Sequence, residues 1–575
     1  MPLPAQLKRA GLVYALDKWR RRAFRLTLWV SEGDASLAIT TGKSSSAMNI
    51  KPSRFVGFAA QLASLLGVSL TLAAEEPLSV GDRRQLLMDD RFVQAAKGIE
   101  YVVHPPVKTG DQIITSEPGL ALGGYHTVLY DAGVYHLWYG AGAFVLYAKS
   151  KDGIHWEKPN LDLPRAASEE ATNLPPNAVL GRGLGGVKGG MHGLMVFLDP
   201  KAAETQRFKL VTNPPEFDGQ VQIFASPDGI HWEHAVTNSL FFVRTNTKPH
   251  HLDSQNVIFW DGRLHKYVAY FRKNMRQPGT QGRTVARAES PDLSHFPSVE
   301  DSPVVMQADP EHAVQFGAEK KERLDLLDTY TNGALKYPWA DDAYLMFPTE
   351  YYHYGAQVAE FRKQAPVNAG ALDTRFATSR DGIKWQRYDH RPFVGLGMKG
   401  EFDSRRIYMA YGVVPATNDR ELYMYYVGTS ETHGWQRNDQ NNRLLTAADL
   451  APTGPSVISR VVLRRDGFVS VRAAYAGGEF TTPPLRFAGE QLLLNVDTSA
   501  SGELRVEVLD AQGQPIPNFT LATCDLVHTA NEISRVVKWN GDSSLKDLAG
   551  KPVRLHFVMR DTDLYAFQFA ERGGI

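Results

Sequence analysis

Ser226-Pro227-Asp228-Gly229-Ile230-His231-Trp232 decides the fold, because it recurs. Ser150-Lys151-Asp152-Gly153-Ile154-His155-Trp156 precedes it, and Ser379-Arg380-Asp381-Gly382-Ile383-Lys384-Trp385 follows it. Ser290-Pro291-Asp292-Leu293-Ser294-His295-Phe296 is a worn copy. Ser430-Glu431-Thr432-His433-Gly434-Trp435 is a further copy, one residue shorter. The full copies close strand-like runs at Phe144 to Lys149, Val221 to Ala225 and Arg375 to Thr378. Asp-Gly is a favoured hairpin corner, because Gly tolerates positive φ and Asp bonds its own backbone. The Trp or Phe that follows supplies a large apolar plate. One corner alone means little. Copies spaced roughly fifty to ninety residues apart mark a repeated β unit that cannot bury its faces alone.

Each unit reads as an opening strand, a turn, an aromatic strand, and a strand ending in the corner. Opening strands fall at Tyr125 to Tyr130, Met191 to Phe197, Asp253 to Trp260, Thr329 to Tyr337 and Glu401 to Val414. Turns fall at Asp131-Ala132-Gly133, Asp261-Gly262, Asp341-Asp342 and Asn418-Asp419. Ala308 to Leu327 reads as a short helix between the third and fourth units. Repeated four-stranded units predict a propeller. After Gly477 the corners stop, and Gln491 to Val496, Glu503 to Leu509, Val553 to Met559 and Leu564 to Phe569 read as strands at sandwich spacing. The expected fold is all-β: a five-bladed β-propeller over residues 80–469, followed by a C-terminal β-sandwich over residues 470–575.

A chain of 575 residues is too long for one ordinary core. Lys plus Arg number 63, as do Asp plus Glu, and this balance argues against a nucleic-acid partner, which would want a basic face. Cys524 is the only cysteine, so no intrachain disulfide is possible, and it reads as a core residue. Met48 to Arg54 is a short basic start, Phe55 to Leu72 is uncharged and mostly apolar, and Leu72-Ala73-Ala74 is a small-residue ending. That is the layout of a secretory signal peptide over residues 48–74. It implies a start at Met48, a non-native upstream extension over residues 1–47, and a secreted or periplasmic protein without membrane attachment after cleavage. The alternative is an uncleaved anchor, but Gln61, Ser64, Ser69 and Thr71 make a poor span.

In a propeller the opening strands line the axis, and their first residues meet at one mouth. The polar residues there are Glu117, His126, His192, His250, His251, Asp253, Asp328, Glu350, Glu401 and Asp403. Carboxylates converging in a wet funnel suit glycoside hydrolysis, in which one acid protonates the leaving oxygen while another carboxylate activates water or attacks. Nearby like charge raises the acid's pKa. Each candidate also has a structural reading. Asp253 can cap a turn, Glu350 can belong to a buried aromatic cluster, and Asp403 can pair with Arg405 or Arg406. Glu117 can be a loop residue. His126 and His192 hold matching places in successive units, although either alone reads as a core histidine. Asp152, Asp228 and Asp381 are corner residues. No close ligand spacing supports a metal. Gly181 to Gly190 lacks the Lys-Ser/Thr ending of a phosphate loop, so no cofactor is expected.

With its Ser-x-Asp-Gly-Ile-x-Trp corners, aromatic return strands and trailing sandwich, the stretch 80–575 resembles the five-bladed propeller glycoside hydrolases, the group holding families 32 and 43. It also looks like exported family-32-like proteins. The resemblance implies an early Asp, a second Asp and a Glu acid. Asp253 suits the second Asp and Glu350 the Glu. Unit one offers Glu117 or His126 where the early Asp would stand, and the Trp-Met-Asn-Asp-Pro, Arg-Asp-Pro and Glu-Cys motifs of family 32 are absent. The implied protein is a secreted glycosidase acting on a plant or algal glycan. Asp253 would be base or pKa modulator, Glu350 the general acid, and Glu117 or Asp403 the remaining carboxylate. His126, His192, His251, Arg272 and Arg405 would hold the sugar. Two alternatives stand beside it: a non-catalytic carbohydrate-binding propeller, and a glycoside phosphorylase in which His250, His251, Arg272 and Lys273 hold phosphate.

Overall fold

The corner motifs are built alike. Ser226 Oγ donates to Asp228 Oδ1 (3.0 Å) and accepts from the Gly229 N–H (2.9 Å). Asp228 Oδ1 then accepts from the N–H groups of Ile230 and His231, each at 2.9 Å. The corners at Ser150 and Ser379 repeat these bonds. Gly153, Gly229 and Gly382 sit at φ of 71°, 76° and 70°. The structure is a computed structural model that describes residues 25–31, 34–41, 44–50, 76–164, 175–214, 221–236, 252, 254–275, 282–308, 327–353, 370–433 and 454–573.

Each corner glycine is also clamped from another sheet. Its carbonyl oxygen accepts a hydrogen bond from an aromatic side chain: Trp138 Nε1 to Gly229, Tyr270 Oη to Gly382, and Tyr425 Oη to Gly153, each at 2.7 Å. Strand register sets the donor position. The corner serines Ser150, Ser226, Ser290 and Ser379 pair with Tyr135, Phe208, Tyr267 and Tyr344. Three residues beyond each partner stand Trp138, Val211, Tyr270 and Phe347. Trp138 and Tyr270 have a donor and reach the next corner in the chain. Val211 has none, and the next corner holds Leu293 where the others have Gly. A Cβ on Gly229 would lie 2.5 Å from Trp138 Cζ2, so this glycine serves both the turn and the close approach.

The sheets are antiparallel meanders. Leu122–Asp131, Val134–Ala141, Phe144–Ser150 and Trp156–Glu157 form the first, with Ala178–Gly181 added against Phe144–Ser150. Met195–Leu198, Phe208–Thr212, Gln222–Ser226 and Glu233–Val236 form the second. Val257–Asp261, Lys266–Asn274, Arg283–Ser290 and Val304–Met306 form the third. Leu335–Lys336, Tyr344–Met346 and Ala377–Ser379 form a three-stranded sheet, and Leu327–Thr331, Thr349–His353 and Gly370–Thr374 form another set, joined to the next meander by a parallel pair at Leu372 and Arg406. That last meander holds Arg406–Met409, Glu421–Thr429 and Val457–Arg464. Its outer edge is filled by Val107–Lys108 and Ile114–Thr115 from the start of the chain.

The arrangement is all-β and propeller-like, and helix among the described residues is confined to short 3-10 turns. Strand Leu122–Asp131 packs against Met195–Leu198 on one side and Arg406–Met409 on the other. The Tyr411 N–H donates to His126 O and the Val128 N–H to Tyr411 O, both at 2.9 Å. Polar side chains fill the axis between the opening strands. Thr127 Oγ1 accepts from the Val196 N–H (3.0 Å), and Gln255 Nε2 donates to the carbonyls of His126 and Leu194 (3.0 Å each). The helix expected over Ala308 to Leu327 falls almost wholly outside the described residues.

A separate eleven-stranded sheet is built on two long strands, Gln491–Asp510 and Val553–Ala570. The sequence reading starts the propeller at residue 80, but the strands from Leu78 to Val103 pair with this C-terminal sheet. The reason is their apolar side chains. Val80, Leu87 and Phe92 complete its core, with Phe92 packed edge-on to Phe567 at 5.1 Å. Cys524 is buried in the same core, where burial raises its thiol pKa. Arg380 ties Asp89 to the corner at Ser379 (2.8 Å), and Tyr337 Oη donates to Asp466 (2.6 Å). In the first of the chain's two compact units, Arg25–Ser31, Asp34–Thr41 and Ser44–Ile50 make an antiparallel sheet of their own. Residues 51–75, most of the expected signal peptide, lie outside the described residues.

Two changes test this account. Gly229→Ala adds a side chain at positive φ against Trp138, and it should lower stability by about 2–4 kcal/mol in urea unfolding. Lys108→Met strands the Asp403 carboxylate, which lies 2.6 Å from Lys108 Nζ and is nearly sealed from solvent. Lys108 itself is partly exposed, so the loss should be about 2–3 kcal/mol, below that of a fully buried pair.

Candidate functional site

The opening strands bring side chains from separate sheets to one pocket of about 150 Å³. Its wall includes Tyr125, His192, Tyr330, Arg406, Tyr408 and His433. The aromatic rings interlock. Tyr125 meets His192 edge-on at 5.2 Å, Tyr330 lies 5.9 Å from Tyr408 and 5.1 Å from His433, and Tyr351 stands behind, 5.7 Å from Tyr330. Tyr408 Oη lies 3.2 Å from His433 Nδ1. Burial pushes the phenols of Tyr125, Tyr351 and Tyr408 above their ordinary range, so they act as neutral hydrogen-bonding groups.

Three arginines surround these rings. The guanidinium carbons of Arg272 and Arg283 lie 5.3 and 5.1 Å from the Tyr330 centroid, and that of Arg406 lies 5.8 Å from Tyr408. Such placements gain cation–π attraction. Asp328 accepts from Arg283 Nη1 (2.5 Å) and from the Arg283 N–H (2.9 Å). Burial alone would lower the Arg283 pKa; Asp328 and the surrounding tyrosines more than reverse this and hold it above the usual value. The described pocket is therefore aromatic and cationic, with its nearby carboxylate Asp328 already held by an arginine.

The residues singled out from sequence divide. His192 and Arg272 belong to this pocket or its supporting layer. Arg405 does not line it; its neighbour Arg406 does, as strand alternation requires. His126 is fully buried in the axial packing beneath. Neither of its ring nitrogens makes a hydrogen bond of normal geometry, and burial lowers its pKa to about 3, against a small opposing effect from the Gly123 backbone. Glu117 is exposed and paired with Lys158 at 2.9 Å. Asp403 stands apart from the pocket, between Lys108 and Tyr426 Oη, which donates to it at 2.9 Å. Asp253 and His251, with His250, lie outside the described residues.

Glu350 is fully buried and faces away from its pocket-side neighbour Tyr351. Its Oε2 lies 3.4 Å from Arg375 Nε and accepts from Tyr352 Oη at 3.1 Å. Asp373, its cross-strand partner, lies 3.2 Å from the same Arg375 nitrogen. Burial pulls the Arg375 pKa down, and Asp373, Tyr352 and Glu350 carry it back above the ordinary value. Two carboxylates thus flank one guanidinium in a cluster beside the pocket rather than in it.

No family model matches the chain, and no curated protein does. Solved structures do resemble it. A thermostable family-43 glycoside hydrolase is 14% identical, with 64% of this chain and 95% of that chain covered and a TM-score of 0.41. An endo-1,4-beta-xylanase from Bacteroides thetaiotaomicron is 11% identical, covering 61% and 95%, with a TM-score of 0.38. An exo-inulinase from Aspergillus awamori is 11% identical, covering 81% and 98%, with a TM-score of 0.34. These neighbours are glycoside hydrolases, and likeness at this level carries no argument about the activity of this chain.

Sequence reasoning missed Tyr125, Tyr330, Tyr408, Arg406 and His433 as a set. One local trace exists. A Cβ on Gly124 would lie 3.1 Å from the Tyr408 ring, so the Gly123-Gly124 pair before Tyr125 makes room for a side chain from the far end of the propeller-like region.

His126 gives a pH test. Its folded pKa lies below its ordinary 6.5. The unfolded state therefore binds more protons between about pH 6.5 and 3, and stability falls as pH drops through that window by up to about 1.4 kcal/mol per pH unit from this group. Unfolding curves of His126→Leu should show a shallower pH slope there than the parent protein; parallel slopes would remove His126 as the cause.

Proposed function

We propose that this chain is a secreted glycoside hydrolase on a five-bladed propeller with a C-terminal β-sandwich, acting on a plant or algal glycan. One observation carries the reading: separate sheets send Tyr125, His192, Tyr330, Arg406, Tyr408 and His433 to a single axial pocket. Tyrosine faces stack on the apolar side of a sugar ring, and Arg and His donate to its hydroxyls. The pocket is smaller than the ~300–1,000 Å³ of drug-sized sites, which suits one sugar unit rather than a long segment. Two features support the blade count: the pairing of His126 and Val128 with Tyr411, and the outer edge strand supplied by residues 107–115. Export rests on the basic, apolar and small-residue order of residues 48–74. Among the described residues no helix is long and apolar enough to cross a membrane.

In this reading Asp253, which precedes the strand Val257–Asp261 in sequence, is the base, and Glu350 is the acid, with Asp373 beside it. Hydrolysis needs such a pair on the two sides of the glycosidic bond. A second reading, glycan binding without cleavage, is favoured by the Asp328–Arg283 pair and by the burial of Glu350 beside Arg375. Glu350→Gln separates the two. In the hydrolase, sugar release should fall by about 100-fold or more while circular dichroism and glycan binding persist. Undiminished release would remove Glu350 from the mechanism, and binding with no reducing sugar from the parent protein would establish the second reading. Tyr330→Ala should weaken glycan binding about 10-fold by isothermal titration in either case.

A further inference from the structure

We propose that the sugar taken by the axial pocket carries an anionic group, a carboxylate or a sulfate ester, which Arg406 receives. This rests on the glycan reading of that pocket and goes beyond it in naming the substrate class. Three arginines stand in or just behind the wall, while the described carboxylates of the cluster are Asp328 and Glu431. Asp328 is fully engaged by Arg283 through a side-chain and a backbone bond. Glu431 holds Arg406 only loosely, at 3.9 Å. Arg406 Nε is shielded from solvent without a hydrogen bond of normal geometry among the described residues, while the side chain as a whole is 18% exposed and its guanidinium lies beside Tyr408 on the pocket wall.

A shielded N–H without an acceptor is costly unless a ligand accepts from it. The planar fork of arginine matches the paired oxygens of a carboxylate or sulfate and forms two parallel bonds. A neutral sugar hydroxyl can accept one such bond but brings no charge to a partly desolvated site. Free phosphate shares this chemistry, so the source of the anion must be tested directly.

Titration calorimetry of the full chain is the experiment, with a uronate oligosaccharide, a sulfated galactan oligosaccharide, neutral counterparts of the same length, and inorganic phosphate alone. The expected result is that at least one acidic oligosaccharide binds about 10-fold or more tightly than its neutral counterpart, and that the preference shrinks as salt rises from low to physiological ionic strength. Arg406→Gln should weaken acidic-sugar binding more than neutral-sugar binding and so abolish the preference, and Arg406→Lys should restore part of it. An unchanged circular dichroism spectrum and melting temperature show that the Gln variant is folded. Equal affinity for acidic and neutral sugars overturns the anionic class and leaves the glycan reading standing. Phosphate binding that depends on Arg406, without any sugar binding, overturns the sugar-borne source. Binding of no probe overturns the glycan reading itself.

Discussion

A hydrogen bond from a buried aromatic side chain to the carbonyl of a corner glycine is the constraint on which the sheet packing depends. A buried carbonyl must find a donor. Here the donor comes from another sheet, and the glycine has no side chain to hold it off. The net worth of each bond is only about 1 kcal/mol. Its larger effect is geometric, since Trp138, Tyr270 and Tyr425 each fix one sheet's face against another's corner. Tyr425 does this across 272 positions of the chain, joining the last meander to the first. The same closure is made at the inner edge by the backbone of Tyr411 and at the outer edge by residues 107–115.

Between the opening strands, the axis is filled by polar side chains that satisfy backbone groups. Gln255 alone serves two carbonyls from two strands, and Asn332 reaches the carbonyl of Gln255 in turn. A buried network of this kind is stable only when its members are paired. It gives the pocket a floor. His126 lies in that floor, sealed from solvent.

Several carboxylates singled out from sequence meet a basic partner in the structure. Asp403 neutralises Lys108 and thereby fastens the edge strand near residue 108 to the last meander. Glu350 and Asp373 share Arg375, and Asp328 holds Arg283. In each case a buried charge is met by a partner, because an isolated one would be prohibitively expensive. What lines the described pocket is aromatic and cationic.

The sequence by itself determined the repeat. Ser-x-Asp-Gly corners are local: Ser, Asp and Gly make their bonds within six residues, so their chemistry is legible without neighbours. Opening strands and aromatic return strands followed from alternation, and His192 was found because it holds the same place in its unit as His126 in the one before. Tertiary structure alone decided which residues share the pocket, since Tyr125, Tyr330, Arg406 and His433 have no spacing in common. It also decided that Leu78 to Val103 joins the C-terminal sheet, because the cores of both regions accept the same apolar side chains. The choice between Arg405 and Arg406 turned on one step of strand alternation, and only pairing with Glu421–Thr429 fixes which of the two faces the pocket.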